Sequence, residues 1–296
     1  MSEQPTHHFQ LTADPGLEHP VLVVALEGWV DAGLGASTAV AALLADTDTE
    51  TLATFDGEHF LDQRARRPVA RIVNGVTEEL TWPITQLRYG RDRDGADILF
   101  LVGPEPDFHW RDFVDDVVYL AARVHTRMMV GLGAFPAPAP HTRPVKLAAT
   151  APSQSADLVA RVGVVQGELE VPAGVQAALE LGFGQAQIPA VTLWARVPHY
   201  VAAMPFPEAS ASLVDGLAAV AGLSLDASSL YSAADSSRTQ VDELIAGNPE
   251  HRAMVRKLEE AIDASEGNTL GMVDLPSGDE LAEELERFLR GEEEDE

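Results

Sequence analysis

Residues 21–37 read VLVVALEGWVDAGLGAS, and the punctuation of that stretch decides the fold class. Val21, Leu22, Val23, Val24, Ala25 and Leu26 form an unbroken apolar run of strand length, as a strand buried on both sheet faces would. Glu27, Gly28, Trp29 and Val30 end the run. Asp31 then stands where an N-cap belongs, ahead of a small-residue segment, Ala32 to Leu44, that reads as a helix. Buried strand, polar turn and capped helix make a first βα unit. In such sheets ligands gather outside the carboxyl ends of the strands, so Glu27, Trp29 and Asp31 mark one rim of the molecule.

Outward from this unit the rhythm repeats. Glu50–Phe55 reads as a strand, and Val69–Val73 and Val76–Trp82 flank Asn74-Gly75, a strong hairpin signal. Asp97–Val102 is a buried strand, followed by a helix over Trp110–His125 with Phe113, Val114, Val117, Val118, Ala121 and Val124 on one face. Met128–Ala134 is the next strand, then come a Pro-rich loop, an extended Val145–Thr150, and short helices at Ser155–Arg161 and Gly174–Leu181. Ile188–Ala195 is another buried strand and Glu208–Ala221 another helix. The pattern predicts an α/β domain over residues 1–235, a mostly parallel sheet covered on both faces, with an antiparallel ribbon spliced in near 69–86.

From Gly222 to Arg238 the chain turns Ser/Ala-rich, which suggests a connector. A helical hairpin is expected over 236–265, with Asn248 as N-cap, Pro249 at the first helical position, and a stripe of Met254, Val255, Leu258 and Ile262. Residues 266–296 read as a linker, a capped tail helix from Ser277 to Arg290, and an acidic end expected to be disordered.

Composition narrows the partners. The net charge of −27 argues against nucleic acid and anionic membrane. With no cysteine, disulfides, thiolate metal sites and cysteine nucleophiles are all removed. The N-terminus has neither a basic nor an apolar signal region, and no apolar run reaches membrane-spanning length, so a cytoplasmic protein is expected. Only Lys146 and Lys257 are lysines, thin equipment for chemistry on nucleoside triphosphates. The Gly33-x-Gly35 pair has Thr38 where a dinucleotide fingerprint needs its third glycine, and no phosphate loop or G-x-S-x-G elbow exists. The histidines show no metal-ligand spacing beyond His7-His8 in an N-terminus expected to be floppy, so neither metal nor cofactor is expected.

One constellation survives. Parallel strands would bring Glu27, Trp29 and Asp31, then Glu105 and His109, then His141 and Arg143, then Arg196, His199 and Tyr200 to one rim. Imidazole beside carboxylate suffices for acid–base work, which makes Glu27, Glu105, His141 and His199 the catalytic candidates. Trp29, Asp31, His109, Arg143 and Tyr200 are the binding candidates. Turns after strands also use Asp, Glu and His to satisfy backbone amides, and that reading stands beside the crevice.

These turns carry a resemblance. EGWVDAG (27–33), GPEP (103–106), GAFPAPAPHTRP (133–144) and LWARVPHYVAAMPFPEA (193–209) together resemble the proteasome assembly chaperone 2 family in its actinobacterial-type branch. The resemblance implies a three-layer α/β/α domain related to the phosphorylase/hydrolase-like fold, a small helical C-terminal addition, and a homo-oligomer with a trimer favoured. It further implies a chaperone-like factor that binds proteins, proteasome subunits among them. Several members dock through a C-terminal hydrophobic-Tyr-X motif; this chain reads Glu294-Asp295-Glu296 there, a departure from that motif. The alternative is a small-molecule enzyme, a hydrolase or phosphorylase, using the rim crevice.

Overall fold

Val21–Glu27 forms a central strand of the structure, a computed structural model that describes residues 6–28, 30–165 and 167–267. In chain order the strands are β1 (Phe9–Leu11), β2 (Val21–Glu27), β3 (Glu50–Phe55), β4 (Val69–Val73), β5 (Val76–Thr81), β6 (Gln86–Arg91), β7 (Asp97–Pro104), β8 (Met128–Ala137), β9 (Leu147–Thr150) and β10 (Ala190–Pro198). The helices are α1 (Gly35–Asp46), α2 (Gly57–Phe60), α3 (Trp110–Arg123), α4 (Ala156–Val162), α5 (Val175–Gln185), α6 (Pro207–Ala221), α7 (Ser228–Ala246) and α8 (Pro249–Gly267). Trp29 and the tail helix expected at 277–290 lie outside the described residues. None of the described helices is long and apolar enough to cross a membrane.

Eight strands form one sheet in the order β1-β3-β6-β7-β2-β8-β10-β9, and β4 and β5 form a separate ribbon. Strands β7, β2, β8 and β10 run parallel; β6, β3 and β1 on one side and β9 on the other are added through antiparallel pairings, so the sheet is mixed around a parallel core. Connection length explains the change of sense. Residues 92–96 between β6 and β7 are too few for a crossover, and only an antiparallel return fits.

Side-chain alternation along β2 builds the three layers. Val21, Val23 and Ala25 pack with α1, α6 and α7, whereas Leu22 and Val24 pack with α3 and α5. Both sets are buried, which is why the run had to be apolar at every position. On the α5 side the small residues of β8 leave a lane for polar groups. A Cβ on Gly133 would sit 2.4 Å from the Trp194 ring. The Trp194 indole donates to the Thr150 hydroxyl (3.0 Å), which donates to the buried carboxyl of Glu180 (2.7 Å). Burial pushes the Glu180 carboxyl above its ordinary range, and the hydroxyl contact offsets only part of that.

Two local expectations are corrected. The helix after Asp31 does not begin at Ala32: residues 32–34 form a 3₁₀ turn, with Gly33 and Leu34 at φ of 63° and 53°, and α1 starts at Gly35. The Ser/Ala-rich stretch read as a connector over 222–238 is helical from Ser228 onward, one continuous α7. Its alanines and serines let it lie close against α6, and Leu230, Ala234 and Val241 are buried along it.

Candidate functional site

The four motif turns interlock at the carboxyl edge of the parallel strands. The Glu105 amide donates to the Glu27 carbonyl (2.7 Å), joining the turns after β7 and β2. Asp31 bridges Ala134 of β8. The Gly33 amide donates to the Ala202 carbonyl (2.7 Å) and its carbonyl accepts from the Phe206 amide (2.8 Å), joining the turn after β10. Gly33 has to be glycine here, because its φ is positive and a Cβ would lie 2.8 Å from that of Phe206. Asp31 still caps α1, reaching over the 3₁₀ turn to accept from the amides of Ala36 (2.7 Å) and Ser37 (3.0 Å).

On the α6/α7 side, His141 is clamped. It is 1% exposed; its amide donates to the Tyr200 hydroxyl (2.8 Å), its Nδ1 lies 2.7 Å from that same oxygen, and its Nε2 lies 3.0 Å from Asp242 of α7. Burial, with Glu259 and Asp242 nearby, pushes the Tyr200 phenol up to about 12 despite the His141 amide. The phenol therefore keeps its proton, and because the Asp242 carboxylate can only accept, the His141 nitrogen that faces it, Nε2, is the donor. Next in sequence, Thr142 bonds Glu259, and Arg143 forks onto Asp263 (2.7 and 2.9 Å) while also contacting Glu259. The Arg143 guanidinium holds the Asp263 carboxyl below its usual range. The α7–α8 hairpin is thus fastened over the Pro-rich loop by His141, Thr142 and Arg143.

On the α3/α5 side the Glu105 carboxylate accepts from the Val175 amide at the start of α5 (3.1 Å). Burial raises its pKa, opposed by that amide and by Arg66. Arg66 lies over Gly28 and bonds Asp107 (3.2 Å). Glu27 is exposed at the strand end. The rim candidates therefore divide between two layers: Glu105 serves α5, while Asp31, His141 and Tyr200 serve α1 and α7. His199 and Arg196 lie on the β10 side, and His199 Nδ1 and Arg196 Nε are buried without a hydrogen-bond partner among the described residues.

His109 belongs to a grouping that the sequence reading missed. His8, His59 and His109 stack in a column, with ring centroids 3.6 Å apart for the first pair and 4.1 Å for the second. His59 Nε2 lies 3.1 Å from Asp112 Oδ2. The N-terminal segment is pinned rather than floppy, since the buried Asp116 accepts from His7 Nδ1 (2.7 Å) and from the His8 amide (2.9 Å). Beside the column opens a cavity of ≈ 550 Å³, walled by His7, His8, Phe55, Glu58, Trp82 and Ile84 among others. The members come from residues 8, 59, 109 and 112, so only the His109-x-x-Asp112 spacing at a helix start hinted at them.

A model of the PAC2 family matches residues 25–245. Among solved structures, a proteasome-assembly chaperone homologue from Mycobacterium tuberculosis is 35% identical, covers 79% of this chain and 99% of its own, and superposes with a TM-score of 0.73. A PAC2 family protein from Streptomyces avermitilis is 33% identical over 80% of this chain and 99% of its own, at a TM-score of 0.70. A second M. tuberculosis protein, of unknown function, is 32% identical over 90% of this chain and 95% of its own, at 0.81. No curated protein matches the sequence.

Proposed function

Since the chain belongs to the PAC2 family, we propose that it is a chaperone-like, protein-binding factor that works as a homo-oligomer, with a trimer the expected state and proteasome subunits the client class to test. The observation that carries the reading is the likeness to the proteasome-assembly chaperone homologue, 35% identical over 79% of this chain.

The β4–β5 ribbon supports the self-association. Val69, Ile72 and Val76 on it are 70%, 61% and 62% exposed, and Leu80 and Trp82 are exposed beside them. A two-stranded ribbon is marginal by itself in water, so such apolar faces gain from cover. Between Gln63 and Thr77 stand Arg64, Arg66, Arg67 and Arg71 with no acidic residue, in a chain of net charge −27. Arg66 is paired with Asp107 and Arg71 with Glu78 and Glu79, so it is Arg64 and Arg67 that complement the acidic remainder of a second copy of this chain, and the ribbon is the contact we assign to it. In this reading the rim groups hold the turns and the α7–α8 hairpin in place.

Sedimentation at micromolar concentration and moderate salt tests the proposal. The wild type should sediment as an oligomer, and Ile72→Asp with Val76→Asp should release monomers that capture no proteasome subunit. A wild type that stays monomeric and binds no such subunit overturns it.

A further inference from the structure

We propose that His8, His59 and Asp112 form a binding site for a divalent transition-metal ion, zinc being the best chemical match. Each offers one ligand atom, and the three atoms lie within 4.8 Å of one another. The His59–Asp112 separation of 3.1 Å falls between the edges of about 2.9 and 3.4 Å expected for two ligands about 2.05 Å from one ion at right-angled or tetrahedral geometry. Two imidazole nitrogens with one carboxylate oxygen suit zinc, cobalt or nickel, whereas magnesium and calcium select oxygen alone.

The backbone around the site is already fixed. His8 is held on both sides, its amide on Asp116 (2.9 Å) and its carbonyl on the Asp56 amide (2.9 Å). Asp56 also caps α2, the helix that carries His59, by accepting from the Glu58 amide (2.9 Å). Asp112 sits in the first turn of α3. Three segments distant in sequence therefore present ligands from pinned positions, which spares most of the ordering cost of metal binding.

Only side-chain rotation separates the arrangement from ligation. The His8 and His59 rings are parallel within 3°, so their lone pairs do not meet until one ring turns about its Cβ–Cγ bond. Asp112 is 48% exposed and free to follow. His109 stacks on His59 and brings its Nδ1 to 3.9 Å from Asp112, beside the position a fourth ligand would occupy. The ≈ 550 Å³ cavity has His8 in its wall and offers a path for entry.

The test uses the full chain without a histidine tag, stripped with chelator, and titrated with cobalt(II) and zinc(II) chloride. One equivalent should bind, with visible cobalt bands of four- or five-coordinate intensity and a zinc-dependent rise in melting temperature. His59→Gln and Asp112→Asn should each weaken zinc at least about tenfold, while His19→Gln with His125→Gln, a surface imidazole pair, should leave it unchanged. Melting in chelator checks that each variant folds, and Asp112→Asn, an exposed change, remains informative if His59→Gln does not fold. The proposal is overturned if no stoichiometric binding appears up to about 100 μM ion, or if the His8→Gln, His59→Gln double variant binds as tightly as wild type.

Discussion

Asp242 of α7 reaches back 101 residues to lie 3.0 Å from the buried Nε2 of His141. The Tyr200 phenol holds the other ring nitrogen, so one imidazole joins the Pro-rich loop, the turn after β10 and the C-terminal hairpin. The two ends of this relay differ in worth. Asp242 is 58% exposed, and water screens its share.

His141→Ala should cost about 2–3 kcal/mol, because it removes the ring nitrogen from the buried phenol, which keeps only the backbone amide, and opens a void. Asp242→Asn should cost about 1 kcal/mol or less. Urea unfolding of both variants decides the matter; equal losses would mean that the carboxylate, not the phenol, carries the fastening.

Asp31→Ala removes a carboxylate that satisfies two amides at the start of α1. The expected loss is about 1–2 kcal/mol, with Asp31→Asn losing less because it keeps one acceptor oxygen. A silent alanine variant in the same unfolding assay would show that the interlocked turns hold α1 without the cap.

Glu180 predicts a pH dependence. Its folded pKa is raised above the ordinary 4.5, chiefly by burial. Between the unfolded and the raised folded value the native state binds the extra proton, so stability falls as pH rises through that window and stays reduced above it. Glu180→Gln removes this loss. Its melting temperature should exceed that of wild type at pH 7.5, and the gap should close toward pH 4. Calorimetric curves that run parallel across that range would refute the assignment.

Much of the fold was legible because burial on both faces demands it. Val21–Leu26 and Asp97–Val102 read as strands since they must pack against helices on either side. Gln86–Arg91 was missed because QLRYGR, paired antiparallel to β7 at the flank of the parallel core, carries polar side chains and half-buries most of them. Helix α7 was misread over 228–238 because serine and alanine look like linker composition until α6 is there to receive them. At the site, the rim positions of Glu105 and His141 followed from strand order, but their duties did not. Which amide or phenol each would meet depends on α5 and α7, tens of residues later in the chain. The histidine column was least legible, since stacking across residues 8, 59 and 109 leaves no local spacing to read.

The place of β2 in the sheet has a consequence for synthesis. Its two neighbours, β7 and β8, begin at Asp97 and Met128, although β2 itself begins at Val21. A ribosome adding about 5–20 residues per second completes β2 and then needs roughly 5–20 s to reach Met128. For the first part of that interval the apolar, β-prone run Val21–Leu26 has neither neighbour, and after β7 is made its β8 edge is still bare. For those seconds the segment that later forms the centre of the sheet is the one most open to pairing with another chain.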